Sequence, residues 1–352
     1  MNFESPRGKS REKMKKIVFV AGGSGGHIFP TFAVADAISN DFEKIFFTSR
    51  AKLDRGIFKK SGRKFHRIFS GKFRRYFSLK NFTDIFKIFI GVFQSFFLLR
   101  KNRPVAIFAK GGFVAVPVAI AARVLQIEII SHESDARLGL ANRILQKLGA
   151  RVLRNFAEKN FPVPVAPGIL NSEKVEIFSN QKPIVLILGG SQGAAEINEK
   201  IQKIWREIDA NFLIQTGRGK NIFAKINAEN LRATEFLSPQ KMGQFLRAAN
   251  LVVSRAGATA IAEIAAFEKP AIFCPLSGHQ ISNAEFLARK NAAEILRPEN
   301  FSAENLKKEI EKILRDQSLA KILARNLQKF YDPRAAEKIA GEIFRENTKP
   351  GN

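Results

Sequence analysis

Short runs rich in Val, Ile and Phe alternate with helix-patterned segments along almost the whole chain, and the alternation runs twice. KIVFV (16–20), KIFFTS (44–49), AIFAK (106–110) and IEIISHE (127–133) make the first series, with helix patterns beginning near Pro30 and covering 115–125 and 141–148. PIVLILGG (183–190), NFLIQTG (211–217), ATEFL (233–237), LVVSRAG (251–257) and PAIFCPL (270–276) make the second, with helix patterns over 194–208, 258–267 and 282–291. Strands this apolar are buried on both faces, and strands that alternate with helices lie in parallel sheets. The Pro-rich stretch FPVPVAPG (161–168) separates the two series and reads as a linker. A chain of 352 residues is too long for one core and suits two domains of roughly 150–180 residues each. The expected architecture is α/β: two doubly wound, Rossmann-like domains, 1–164 and 165–333, facing a cleft in which ligands bind beyond the strand C-termini.

Glycines cluster where strands hand over to helices, at GGSGGH (22–27), GGF (111–113) and GGSQGA (189–194), with one more in SRAGAT (254–259). Glycine lets backbone N–H groups come close to a ligand, and the helix that follows offers orphan donors and a partial positive charge. Such loops on both halves, all at strand ends, point to a diphosphate-containing ligand. Neither the dinucleotide fingerprint G-x-G-x-x-G nor a nucleotide-hydrolase loop ending G-K-[ST] is present, and the chain has no Asp-x-Asp pair. No carboxylate clamp for a metal–diphosphate is therefore expected, and helix dipoles would have to stabilise a leaving diphosphate.

The net charge of +26 implies an anionic partner, or else a lysine-rich compositional bias. With 33 Phe but only 2 Tyr and 1 Trp, the aromatic content suits cores and lipid contact better than base stacking. No zinc spacing, helix–turn–helix pattern or aromatic RNA-binding motif appears, so nucleic acid is not an expected partner. Cys274 is the only cysteine, which forbids an internal disulfide and suits a reducing compartment. The first apolar run, 17–20, is too short for a secretory signal, and residues 1–16 read as a basic, frayed leader. One segment breaks the alternation: NFTDIFKIFIGVFQSFFLLRKNR (81–103) is amphipathic and Phe-rich, with an apolar core over 88–99 too short to span a bilayer. It is expected to be a buried helix of the first domain. The competing reading, favoured by the basic SGKFRRYF (70–77) before it, puts its outer face on a membrane.

GGSGGHIFPTFAVADAI, GGFVAVP, ISHESDARLGLANRIL, LGGSQGAAEINE and SRAGATAIAEIAAFEKPAIFCPL with HQISNA resemble, in order, the motifs of the bacterial lipid II-forming N-acetylglucosaminyltransferases, the MurG family. The resemblance covers roughly 16–345. It implies the two-domain GT-B glycosyltransferase fold, with a C-terminal helix at about 334–347 packing back onto the first domain. It also implies inverting transfer of N-acetylglucosamine from UDP-N-acetylglucosamine to the muramoyl 4-hydroxyl of lipid I, by a peripheral protein on an anionic membrane surface at the cytoplasmic face. No cofactor and no metal are implied.

Carried over residue by residue, Glu263 would take the ribose hydroxyls, Gly257, Ala258 and Thr259 the phosphates with help from Arg255, and Phe236 and Leu237 the uracil. Gln280 and Asn283 would read sugar hydroxyls, Ser191 and Gln192 would face the cleft, and Ser24, Gly25 and Gly26 would approach the donor sugar or acceptor diphosphate. Each has a plainer reading: Glu263 as an acid satisfying a helix dipole, Gln280 and Asn283 as ordinary helix-start polar groups. His27 is the first candidate for the general base that an inverting transfer to a hydroxyl needs, or else caps its own loop. Asp135 and Glu133 are the next candidates, and His132 with Glu133 would orient the acceptor or satisfy local backbone. Four departures stand out: Asp135 where the family has Asn, Ala166 where its linker has Arg, a short loop before His279-Gln280, and Val116 where GGYVSGP has Gly. The alternatives are a GT-B transferase acting on another lipid such as diacylglycerol, a sugar-nucleotide 2-epimerase lacking recognisable acidic catalytic groups, and a basic nucleic-acid-binding protein.

Overall fold

A computed structural model describes residues 14–71, 80–189, 193–276 and 278–345. The first half runs β1 (Lys15–Val20), α1 (Gly25–Asp36), β2 (Phe42–Thr48), α2 (Lys52–Lys60), β3 (Phe65–Arg67), α3 (Lys80–Asn102), β4 (Ala106–Ala109), α4 (Ala115–Val124), β5 (Glu128–Glu133), α5 (Leu140–Lys147) and β6 (Arg151–Arg154). A one-turn helix, α6 (Pro167–Leu170), begins within the last two residues of the Pro-rich stretch. The second half runs β7 (Ile184–Leu188), α7 (Ala195–Ile204), β8 (Asn211–Gln215), β9 (Leu231–Thr234), α8 (Pro239–Ala248), β10 (Leu251–Ser254), α9 (Ala258–Ala266), β11 (Ala271–Phe273), α10 (His279–Arg289), β12 (Glu294–Ile295), α11 (Ala303–Arg315), α12 (Gln317–Gln328) and α13 (Ala335–Ile343).

Each half builds one six-stranded sheet, in the orders β3-β2-β1-β4-β5-β6 and β12-β11-β10-β7-β8-β9. All pairings are parallel. The expected doubly wound sheets are therefore present, and both have the same winding. Strand order reverses between β1 and β4 in one sheet and between β7 and β10 in the other, the crevices where open α/β sheets take ligands. Ile17, Val18, Phe19 and Val20 of β1 are fully buried, as are Val185, Leu186 and Ile187 of β7, so both central strands are covered on two faces.

Ile339, Ala340 and Ile343 of α13 share a core with Ile17 and Phe19 of the first sheet, and the Arg151 guanidinium meets the Glu342 carboxylate at 2.5 Å. The last helix thus crosses back to the first half. Between the halves Phe156, Phe286 and Phe330 form an aromatic trio with centroids 5.1–6.0 Å apart.

Two local expectations need correction. Helix α1 starts at Gly25, not near Pro30, which instead lies inside it and takes away the N–H that would bond to the Gly26 carbonyl. Helix α3 is not simply buried. Gly91, Ser95 and Leu99 face inward, and a side chain at Gly91 would collide with the Phe69 carbonyl. The opposite face stands open: Phe86, Phe89, Phe93 and Phe97 are each at least 60% exposed. Periodicity gives a helix two faces but does not say that the second one meets water. Most of the basic stretch before it, 72–77, lies outside the described residues. Among the described residues no helix is long and apolar enough to cross a membrane.

Candidate active site

Two helix N-termini meet across the cleft. Helix α1 leaves β1 through GGSGGH, and α9 leaves β10 through SRAGAT. A β-carbon on Gly26 would lie 3.1 Å from Thr259 Oγ1, so glycine is what allows the two turns to approach. Neither helix has a side-chain cap or an acidic residue in its first turn. Helices α4, α5 and α10 are uncapped as well, so what singles out α1 and α9 is that their N-termini meet. Leaving both termini uncapped concentrates partial positive charge and open donors at one point, which suits an anion.

The first loop is held from behind by a residue that the sequence did not single out. Asp54 on α2 is fully buried; its Oδ2 accepts from the Gly23 amide at 2.8 Å and from Ser49 Oγ at 2.5 Å. A β-carbon on Gly22 would stand 2.7 Å from that oxygen, and Gly23 has φ +93°, a left-handed conformation that favours glycine. These two glycines therefore serve the loop's own geometry; a β-carbon on Gly25 would meet the Phe29 ring at 3.1 Å, and only Gly26 faces the second domain. Gly111 and Gly112 also have φ +77°, turning the chain out of β4.

His27 lies in the first turn of α1. Its Nδ1 donates to the Lys110 carbonyl at 3.0 Å, which leaves Nε2 unprotonated in the neutral ring. Burial, and then the nearby Lys110 ammonium, hold its pKa below the usual 6.5, against the opposing pull of that hydrogen bond and of Asp135 and Glu133. A neutral imidazole with an open acceptor nitrogen has the form of a general base.

Glu133 is occupied otherwise. Its Oε1 accepts from the Asp135 amide at 3.0 Å, and its Oε2 from the Gly139 amide at 2.7 Å and Asn142 Nδ2 at 2.9 Å. It ties the loop after β5 to the start of α5. His132 is fully buried, donating from Nε2 to the Phe161 carbonyl at 2.7 Å. Asp135 reaches the other domain: Asn283 Nδ2 donates to its Oδ1 at 2.9 Å and to the Ala256 carbonyl at 3.0 Å, while Asn283 Oδ1 accepts from the Ala136 amide at 2.7 Å. Asn283 is fully buried, so a sugar hydroxyl could use its amide only by displacing Asp135.

On the second domain, Glu263 lies one turn into α9 and forms no hydrogen bond with another described residue. Burial pushes its pKa from 4.5 up to about 7. An acceptor this poorly solvated is ready for hydroxyl donors. Phe236 follows β9 with its ring about half exposed and the Arg218 guanidinium 5.4 Å from its centroid, whereas Leu237 is buried in the core and can offer a base only its backbone. The expected strand ATEFL actually ends at Thr234, which frees Phe236 for this position. Gln280 accepts from the Leu276 amide through Oε1 at 3.0 Å. The Arg255 guanidinium is occupied by Glu196 at 2.9 Å and the Cys274 carbonyl at 2.8 Å, so a phosphate would compete with a carboxylate for it. Ser191 and Gln192 lie outside the described residues. Among the described residues no cluster of three His, Cys, Asp or Glu could hold a metal ion.

Comparison with known proteins agrees with this geometry. The glycosyltransferase family 28 N-terminal domain matches residues 17–154, and the family 28 C-terminal domain matches 184–339. A UDP-N-acetylglucosamine–N-acetylmuramyl-(pentapeptide) pyrophosphoryl-undecaprenol N-acetylglucosamine transferase of Borrelia hermsii is 35% identical, covering 94% of this chain and 97% of its own. The protein of the same name from Treponema denticola is 36% identical, covering 94% and 95%. The crystal structure of Acinetobacter baumannii MurG superposes with a TM-score of 0.75 at 24% identity, covering 94% of this chain and 99% of that one, a likeness of fold.

Proposed function

The chain belongs to the MurG family of family 28 glycosyltransferases, and on that footing we propose that it transfers N-acetylglucosamine from UDP-N-acetylglucosamine to the muramoyl 4-hydroxyl of lipid I, giving lipid II for peptidoglycan synthesis. The observation that carries the reading is the meeting of the α1 and α9 N-termini, with a neutral histidine in the first turn of α1 and, one turn into α9, a carboxylate that no other described residue hydrogen-bonds. The domain from about 165 to 333 holds the donor: Glu263 accepts from the ribose hydroxyls, the α9 N-terminus takes the diphosphate, and Phe236 borders the uracil. The domain from about 1 to 164, with α13 against it, holds the acceptor.

In the transfer the muramoyl oxygen bonds to C1 of N-acetylglucosamine as the bond from C1 to the diphosphate oxygen breaks. The hydroxyl proton passes to His27 Nε2, and the charge that develops on UDP is stabilised by the first-turn N–H groups of α9. Attack on the face opposite the leaving group inverts the anomeric centre. The exposed apolar face of α3, Phe86 to Phe97, seats the protein peripherally on the cytoplasmic face of the membrane, where a lipid-linked acceptor lies. Incubating the protein with UDP-N-acetylglucosamine and lipid I tests the assignment. Lipid II with a β-linked disaccharide is the expected product, and transfer to diacylglycerol but not to lipid I would overturn it.

A further inference from the structure

The most unusual charge in the fold lies beneath the site rather than in it. Lys110 directly follows β4 and continues its buried run, where an apolar residue would be expected, and it is only 2% exposed. Its ammonium donates to His132 Nδ1 and to Ser134 Oγ. The direction of the first bond is fixed because His132 Nε2 already donates to the Phe161 carbonyl, leaving Nδ1 as an acceptor. The Lys110 backbone amide bonds to the Val20 carbonyl at 3.0 Å, and its carbonyl takes the proton on His27 Nδ1. One residue thus joins β1, α1 and the loop after β5. Isolated buried ammonium groups are costly, so one in place of a Val or Ile calls for a reason beyond packing.

We propose that Lys110 is a positioning residue for the transfer: its carbonyl fixes the orientation and tautomer of His27, and its buried ammonium sets the field in which that imidazole takes up a proton. The inference rests on His27 as the base. Among the described residues, the charged and titratable groups around this point are Lys110 just after β4, His27 on α1, and His132, Glu133 and Asp135 on β5 and its loop. The second domain contributes Thr259 and Asn283, neither of which titrates. Glu133 and Asp135 would by themselves draw a proton onto His27, and the ammonium opposes them. Burial lowers the Lys110 pKa to about 7, while the same two carboxylates favour its charged form. In the range below pH 6.5 where His27 would protonate, Lys110 is therefore a cation, the state in which it works against that protonation.

The test uses the full chain with ¹³C-labelled histidine, since only 4 histidines need assignment. Lys110→Met keeps an unbranched side chain one atom shorter and removes the charge. It should raise the His27 pKa by about half a unit or more, and so lower the neutral fraction about threefold at pH well below that value. The acidic limb of the kcat profile should move up by the same amount, with the KM for UDP-N-acetylglucosamine unchanged. Lys110→Arg should stay closer to wild type. If Lys110→Met does not fold because it leaves carboxylates unbalanced, Asp135→Asn is compared with Asp135→Asn/Lys110→Met, and the same rise is expected. An unchanged His27 titration in a folded variant lacking Lys110 would overturn the proposal, whatever acceptor the enzyme uses. The titration needs no substrate, so its outcome is separate from the lipid II assay.

Discussion

Replacing Glu263 by Gln should make the protein more stable and a poorer binder of UDP at the same time. The carboxyl is half-buried on α9, and burial moves its pKa from 4.5 to about 7. Between those values the folded chain keeps a proton that the unfolded chain has given up. Rising pH therefore costs stability across this window, and the full cost is present above about pH 7. At about 1.4 kcal/mol per pKa unit the shift corresponds to roughly 3 kcal/mol, and partial access of water brings it to about 1–3 kcal/mol. Gln never ionises and escapes that cost. Urea unfolding at pH 8 should show Glu263→Gln more stable by about 1–3 kcal/mol, with the difference shrinking toward zero as pH falls to 4.5. Calorimetry should show weaker UDP binding, and Glu263→Ala should lose about 1–3 kcal/mol, the range for a hydrogen bond to a charged group. A Gln variant destabilised equally at both pH values would refute the reasoning, because it would make Glu263 a structural partner rather than an acceptor held ready for a ligand.

Other outcomes follow from the same geometry. Activity should survive EDTA if, as proposed, helix N-termini stabilise the leaving diphosphate; loss on chelation with recovery in Mg²⁺ or Mn²⁺ would contradict this. Phe89→Ser/Phe93→Ser, on the open face of α3, should weaken binding to anionic vesicles while leaving the fold and UDP affinity intact, as read by flotation, circular dichroism and calorimetry. Gly22→Ala places a methyl 2.7 Å from Asp54 Oδ2, so it should distort the first loop and lower kcat with little change in donor affinity. Unchanged kcat would mean that the loop's geometry does not matter to the reaction.

The sheets were legible in the sequence because their central strands are buried on both faces and carry near-continuous Val, Ile and Phe. The edge strands β3, β6 and β12 were not, being only 3, 4 and 2 residues long, with exposed or charged residues such as His66, Arg67 and Arg154. Pro30 suggested a helix start because proline favours a first turn, whereas α1 starts at Gly25; the close approach of Gly26 to Thr259, more than two hundred residues away in the chain, left no local signal. His27 and Glu263 could be picked out by residue type and place. The pairing of Asn283 with Asp135 could not, because it spans 148 positions and two domains. Lys110 did leave a trace, a lysine closing the apolar run AIFAK, but only the fold shows that its ammonium turns inward.

The most direct test of the central claim runs wild type and His27→Ala side by side on UDP-N-acetylglucosamine and lipid I, with donor affinity measured separately. Wild type should form lipid II, with an acidic limb whose midpoint lies below pH 6.5, since neutral His27 is the active form and its pKa is depressed. His27→Ala should lower kcat by about 10²–10⁴-fold and lose that limb, with donor affinity nearly unchanged because the proposed UDP pocket lies in the other domain. A folded His27→Ala enzyme with near-normal kcat and lowered thermal stability would contradict the account. It would make His27 a cap for its own loop and move the search for the base to Asp135.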